Sequence, residues 1–362
     1  MATPDRMQTI AQARQVLLHE RSAQPAPALA PWLQRGWQRC QSWGLEPGQR
    51  VGFDAVSTAR MRQVQEASQP LVQAARPVLA ELVRAMGNIG YFAILTNAEG
   101  IVIDVHGPVD RSDRRANVIA RVGVDLSERA IGTSAISAAL TELQPVWLHR
   151  GEHFFDDTGI YSCAGAPVFG PDGRCAGMLD LTGVEVSERP ALKHLVRRSA
   201  RSIENGWLLA SPHTLTLRLN WPGNQPGDDS DGLLTLDADG RITGANPTAR
   251  QMLSLDIGET DTHASDVFAM PWENLFDAAR RDDGQCEVPL WSGLRLQTRA
   301  QRAAAVQMAG SSLRSSGKAL RDVETELIRQ AVVKAKGNVA EAARTLGISR
   351  ATVYRKLGTP KG

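Results

Sequence analysis

The stretch Asn338–Leu357, NVAEAARTLGISRATVYRKL, carries the sharpest local signal in the chain. Asn338 stands where a helix N-cap belongs, and Glu341 three residues on completes a capping box. Val339, Ala342, Ala343 and Leu346 recur at i, i+3, i+4 and i+7, one apolar stripe. Gly347 gives the backbone freedom for a tight turn, and Ile348 plugs the angle between two helices. Ser349 caps the second helix, whose Val353 and Leu357 face inward and whose Arg350, Thr352, Arg355 and Lys356 face out. These features predict a helix-turn-helix that reads DNA. Just upstream, Leu320, Val323, Leu327, Ile328, Ala331 and Val332 form a wider apolar stripe than that pair needs. The surplus is expected to be a homodimer surface, matching two half-sites on DNA.

Charge supports the same reading. From Arg299 onward there are 13 basic and 4 acidic residues, leaving 28 basic and 35 acidic of the chain's 41 and 39 upstream. A near-neutral chain with a basic end fits phosphate attraction confined to one module. No apolar run approaches a membrane span and no signal-peptide core is present, so a cytoplasmic location without membrane contact is expected. Cys40, Cys163, Cys175 and Cys286 are scattered without CxxC spacing, which suggests neither a zinc finger nor a disulfide framework.

The 362 residues allow two or three domains. Residues 1–87 read as an N-terminal helical region: a first helix to about Glu20, a Pro/Ala spacer, a short Trp-rich helix (Trp32, Trp37, Trp43), then a helical stretch Thr58–Met86 interrupted by Pro70 and Pro77. Alternation then switches to strands. GYFAILTN and IVIDVHG make a hairpin-like pair, SERAIGTSAISAAL is helical, and QPVWLH, YSCAGAPVFG and CAGMLDLTG are strands, closed by a helix to Leu209. This predicts an α+β sensor over 88–210 with an antiparallel sheet. A linker over 211–230, a small α+β unit over 231–298, a flexible basic linker over 299–317 and an all-α DNA-binding domain over 318–362 complete the expected order.

Several stretches resemble known families. GISRATVYRKL resembles the Fis-type helix-turn-helix that ends bacterial enhancer-binding proteins. The resemblance implies that Ser349 and Arg350 approach base edges, with Thr352, Tyr354, Arg355 and Lys356 near phosphates. WLQRGWQRCQSWGLEPG resembles the N-terminal signature of the acetoin- and glycerol-metabolism regulators. Gly90–Leu209 resembles their GAF sensor through GTSAI at 132–136, EHF at 152–154 and the Cys163–Val168 stretch. DGLLTLDADGRITGANPTARQML resembles the entrance of a PAS domain. Two departures stand out. About twenty residues separate Thr298 from Leu320, where the family carries an AAA+ ATPase. No Walker A is present, since Lys318 is followed by Ala319 and Ser312 stands where the first glycine belongs. Locally, Leu126 replaces a frequent tryptophan and Ser134 replaces an asparagine.

A GAF-like sheet is expected to hold a small organic effector between its concave face and the covering helices. The candidates are Phe92, Ile94, Ile103, Trp147, Met178 and Asp180 on the sheet, with Ile131, Thr133, Ile136, His153, Phe154, Phe155 and Cys163 above it. Ordinary core packing is the plainer reading for any single apolar one. Asp104 and Asp180 read more simply as a charged face. His149, His153 and Cys163 could ligate a metal, or Cys163 could sense redox state, but the strand-like spacing of QPVWLHRGEH argues against it. No catalytic motif is present, so no enzyme, cofactor or metal is expected. The reading is a ligand-responsive regulator that binds DNA as a dimer without ATPase activity. Its alternatives are a co-regulator that associates with an ATPase-bearing relative, and a metal or redox sensor acting through Cys163. RNA polymerase is a further expected partner of the regulator.

Overall fold

The computed structural model describes residues 6–20, 29–258, 261–281 and 283–303, together with Val339 and Ala343 further on. Three helices precede the first sheet: α1 (Arg6–Arg14), extended by a π turn over Gln15–His19, then α2 (Pro31–Ser42) and α3 (Thr58–Met86). The hairpin β1 (Tyr91–Asn97) and β2 (Val102–His106) follows. Short helices α4 (Arg114–Ile119), α5 (Glu128–Ile131) and α6 (Ala135–Glu142) lead to β3 (Val146–His149). Then come β4 (Tyr161–Phe169), β5 (Cys175–Val184) and α7 (Leu192–Ala210).

These strands form one antiparallel sheet in the order β2-β1-β5-β4-β3. It is covered on both faces, which is why β5 reads as a nearly unbroken apolar run. One face packs under α2 and α4–α6, through Phe92, Ile94, Leu148 and Met178. The other packs on α3 and α7, through Tyr91, Ala93, Leu95, Leu179 and Leu181. The expected boundary between an N-terminal helical region (1–87) and the sensor (88–210) is therefore not structural. Leu33, Trp37 and Cys40 of α2 and Leu71, Ala75 and Leu79 of α3 are core of the same unit.

Pro70 and Pro77 do not interrupt α3, which runs unbroken for 29 residues. Both are exposed and seven residues apart, on the side away from the buried stripe Val64, Leu71, Ala75, Leu79, Leu82 and Met86. A proline in a helix frees the carbonyl four residues back. Here those carbonyls belong to Glu66 and Gln73, both exposed residues on the side of the helix away from the core.

A second antiparallel sheet follows, made by β6 (Leu215–Asn220), β7 (Gly232–Leu236), β8 (Ile242–Ala245), β9 (Gln285–Pro289) and β10 (Arg295–Arg302). Between β8 and β9 lie α8 (Pro247–Leu253), α9 (Ala264–Val267) and α10 (Glu273–Ala278). The expected linker over 211–230 is corrected here. LTLRLN within it is β6, the central strand of the order β8-β7-β6-β10-β9, and pairs with β7 and β10. The second unit therefore begins before 231, and its apparent shortness disappears.

The second order is the first one cyclically permuted by a single strand. β7 takes the place of β1, β8 of β2, β9 of β3, β10 of β4, and β6, first in sequence, takes the place of the last strand β5. The matching hairpins even share their turn. Asn97 Oδ1 accepts from the backbone N–H of Glu99 and Ile101 (3.1 and 2.9 Å), and Asp237 Oδ1 accepts from those of Asp239 and Arg241 (both 2.9 Å). The expected α+β class with antiparallel sheets is what the structure contains.

Gly177 marks the tightest point of the first sheet: a Cβ there would meet the Thr96 carbonyl oxygen at 2.0 Å. Gly177→Ala is expected to cost about 3 kcal/mol, because backbone rather than a flexible side chain blocks the space. Gly206, exposed on α7 with nothing near its missing Cβ, gives the opposite sign. Gly206→Ala is expected to stabilise by about 0.5–1 kcal/mol. Urea unfolding of both variants beside the wild type reads the two shifts.

Candidate functional site

Asp180 occupies the middle of the first sheet, on the central strand β5 between Ile94 of β1 and Gly165 of β4. Period-two alternation puts its side chain on the face of Met178 and Thr182, beneath the helices. It is fully buried. Thr182 Oγ1 donates to Asp180 Oδ2 and lies 3.5 Å from Cys163 Sγ. Asp180 Oδ1 has no hydrogen-bond partner among the described residues. Burial pushes this carboxyl up to about 7, and the Thr182 bond pulls it back only in part. The charged-face reading of Asp180 is thus overturned. It does fit Asp104, which is half-buried and paired with His106 at 2.9 Å.

The cover over this face is fastened by ionic and hydrogen-bonded contacts. Arg39 of α2 grips Glu128 of α5 with two bonds, Nε to Oε2 at 2.9 Å and Nη2 to Oε1 at 3.1 Å. Glu128 Oε1 also accepts from Thr133 Oγ1 at 3.1 Å, and Cys40 Sγ touches the same hydroxyl at 3.4 Å. Gly36 permits the approach, since a Cβ there would meet Thr133 Cγ2 at 2.7 Å. Thr133 is therefore engaged in holding α2. Ser134 is the N-cap of α6: its hydroxyl accepts from Ser137 N at 3.2 Å, a role that asparagine fills equally well.

The loop after β3 is held from the N-terminus. Arg14 donates to the carbonyls of Gly151, His153 and Phe154 (3.1, 2.6 and 3.1 Å), and Trp37 Nε1 donates to the Glu152 carbonyl at 3.0 Å. Arg6 donates to both Glu152 oxygens at 2.7 Å. His153 is buried, with Nδ1 2.9 Å from the Arg150 carbonyl and Nε2 without a partner among the described residues. Burial brings its pKa down to about 4. The ring is therefore neutral, with Nδ1–H donating and Nε2 left as a bare acceptor.

Of the expected pocket residues, Phe92, Ile94, Ile131, Ile136, Phe154, Phe155, Cys163 and Met178 come together in one cluster. Ile103 and Trp147 do not: both pack with α3 and α7 on the opposite face. Their neighbours Val102 and Leu148 face the helical cover instead, so pairing register decides the matter. Burial, then Asp180, hold the Cys163 thiol well above its ordinary pKa. It stays protonated, which argues against the redox and metal alternatives. Among the described residues no group of three His, Cys, Asp or Glu side chains could hold a metal, and no helix is long and apolar enough to cross a membrane. Sequence reasoning missed Arg14, Arg39, Glu128, Glu152 and Thr182. The arginine and cysteine of the N-terminal signature were the available signal for Arg39 and Cys40.

The expected DNA-contacting residues Ser349, Arg350, Thr352, Tyr354, Arg355 and Lys356 lie outside the described residues, as does the upstream dimer stripe. From the helix-turn-helix stretch the structure describes Val339 and Ala343. Both are helical, and Ala343 is buried.

A family model described as the MimR N-terminal domain matches residues 6–205, and that of the bacterial regulatory proteins of the Fis family matches residues 319–358. The acetoin catabolism regulatory protein of Cupriavidus necator is 33% identical over 262 residues, 70% of this chain and 38% of that protein. The propane 2-monooxygenase operon transcriptional activator MimR of Mycolicibacterium goodii is 29% identical over 195 residues, 53% of this chain and 32% of that protein. The chain thus spans less than two fifths of the length of either relative. Among solved structures, the E. coli DhaR(N)–DhaL complex is similar at 14% identity and a TM-score of 0.47, covering 74% of this chain and 98% of that one.

Asp180 gives a pH test. Its folded pKa of about 7 lies above the ordinary carboxylate value. Between about pH 4 and 7 the folded state therefore keeps a proton that the unfolded chain has lost, and this group's contribution to stability falls as pH rises. Asp180→Asn is expected to gain on the wild type across that window, by up to about tenfold in the unfolding constant per pH unit. Groups common to both proteins cancel in the comparison. Urea unfolding at pH 5, 6, 7 and 8 measures it, and parallel curves for the two proteins would refute it.

Proposed function

The chain belongs to the family described by the MimR N-terminal domain, and from that premise we propose that it is a ligand-responsive transcription regulator. Its C-terminal Fis-type helix-turn-helix binds DNA sequence-specifically as a dimer. Ser349 and Arg350 read base edges, while Thr352, Tyr354, Arg355 and Lys356 contact phosphates. The observation that carries this reading is one chain with a sensor-family match over 6–205 and a Fis-family match over 319–358. The sequence between these matches contains no Walker A motif, so the regulator works without hydrolysing ATP.

A small organic effector is sensed on the helix-covered face of the first sheet. Phe92, Ile94, Ile131, Ile136 and Met178 supply the apolar lining, and the free oxygen of Asp180 and Nε2 of His153 supply the orienting groups. The loop Glu152–Phe155 beside this face is clamped by Arg14 and Trp37. α3 and α7 pack directly on the back of the same sheet, so a shift at Asp180 reaches both long helices through one layer of side chains.

The test is genomic footprinting of the tagged protein, wild type beside Arg350→Ala. Loss of one base-reading arginine costs about 1–3 kcal/mol, so discrete palindromic sites are expected to fade roughly 5- to 150-fold in occupancy constant. Sites unchanged by Arg350→Ala, and lost when an ATPase-bearing relative is deleted, would instead make the protein a co-regulator carried by that relative.

A further inference from the structure

The two sheet-bearing units meet along a seam beside α7. There Asn246 is buried and fully bonded, donating to Asn205 Oδ1 (2.9 Å) and the Asp231 carbonyl (3.0 Å) and accepting from Leu233 N and Ala249 N (3.0 and 2.8 Å). Beside it opens a cleft of about 170 Å³. Ala166, Phe169 and Ala200 form an apolar wall from the sensor side, and Pro247 and Thr248 close it from the second unit. Arg197 and Arg201, one turn apart on α7, stand at its mouth and also line an adjoining hollow of about 700 Å³. Asp228 and Asp229 line that hollow too. The Ser230 bonds chiefly, and Arg201 more weakly, hold the Asp228 carboxyl below its ordinary value.

Glu204 also lines the cleft, one turn further along α7. It is 7% exposed, and its Oε1 accepts from Phe169 N at 3.0 Å. Burial pushes this carboxyl up to about 8, against the smaller opposing pulls of the Phe169 bond and Arg201. At neutral pH it is mostly protonated, a hydrogen-bond donor rather than a charge. The cleft therefore presents two guanidinium groups and one neutral acid above an apolar wall, a combination that selects an anion with a hydrocarbon body. Its volume is close to that of a cavity which admits a benzene-sized molecule, about 150 Å³.

We propose that this inter-domain cleft binds a small organic carboxylate, held by Arg197 and Arg201 with Glu204 as donor and its apolar body against Ala166, Phe169 and Ala200. The site is separate from the Asp180 face, and its walls come from both sheet-bearing units. Its occupant therefore bridges the sensor and the second unit.

Calorimetric titration of the full chain with benzoate and butyrate, and with the neutral benzamide and butyramide, tests this. Saturable binding of at least one acid is expected, at least tenfold weaker for the matching amide. The same loss is expected in the Arg197→Ala/Arg201→Ala double variant, whose substitutions fall on partly or fully exposed positions of α7 and leave the helical circular dichroism unchanged. Three results would overturn the proposal: no saturable binding of either acid, equal binding of acid and amide, or undiminished binding by a folded double variant.

Discussion

The grip of Arg39 on Glu128 is the constraint that the sensor depends on. Glu128 is nearly sealed from solvent, and a carboxylate in that position is tolerated only with a matched partner. The planar guanidinium supplies one through two bonds, one to each carboxylate oxygen. The same carboxylate holds Thr133, and the Thr133 carbonyl accepts the N–H of Phe154 at 3.1 Å. One ion pair thus connects α2, the α5–α6 junction and the loop after β3, the three pieces that roof Asp180. Gly132 lets the chain turn between α5 and α6 with φ near +65°, where a side chain would strike Phe154 and Phe155. Remove the ion pair and α2 keeps the Cys40 contact to Thr133 and the Trp37 bond to the Glu152 carbonyl, but Glu128 is left buried without its charged partner.

The two sheets show how a shared plan tolerates a change in chain order. In the first, the central strand comes last in the sequence and leads straight into α7. In the second, the central strand comes first and follows α7 directly. That permutation places the C-terminal end of one sheet's unit beside the first strand of the next, with four residues between α7 and β6. So short a connection cannot act as a tether, and the seam is packed accordingly. Arg250 donates to the Pro171 carbonyl at 2.9 Å and Gly244 lies against Leu208 and Pro171. The two sheet-bearing units are welded at their junction, and a polar cleft survives beside the weld.

Much of this was legible in the letters. Strands with strong alternation and turns with Asn or Asp before Gly declared themselves, because their signals are local. LTLRLN was lost because it is short and lies beside a Pro- and Gly-rich stretch, so its partners β7 and β10 had to be known before it could be recognised. Pro70 and Pro77 misled because composition does not say which side of a helix meets water. Ile103 and Trp147 were assigned to the wrong face for a related reason. Alternation gives the relative sides within one strand, but the absolute side follows from pairing, and β1 and β2 shift register between Leu95 and Thr96. Asp180 was the hardest, since a lone aspartate in an apolar strand is unusual but does not announce whether it is buried.

Asp180 Oδ1 and His153 Nε2, without partners among the described residues, each carry a cost of about 1–3 kcal/mol. Such a cost is offset elsewhere in the fold, here by the apolar cluster on the same face and by the Arg14 and Arg39 bonds. A ligand that bonds either atom recovers that energy only in the state where the atom is buried and aimed at it. The recovery is therefore a difference between states, the quantity that an effector must supply to shift an equilibrium, at about 1.4 kcal/mol for each factor of ten. In the ligand-responsive reading proposed above, these two atoms on one side of the sheet would be the source of differential binding energy, and the two long helices packed on the other side the element on which it acts.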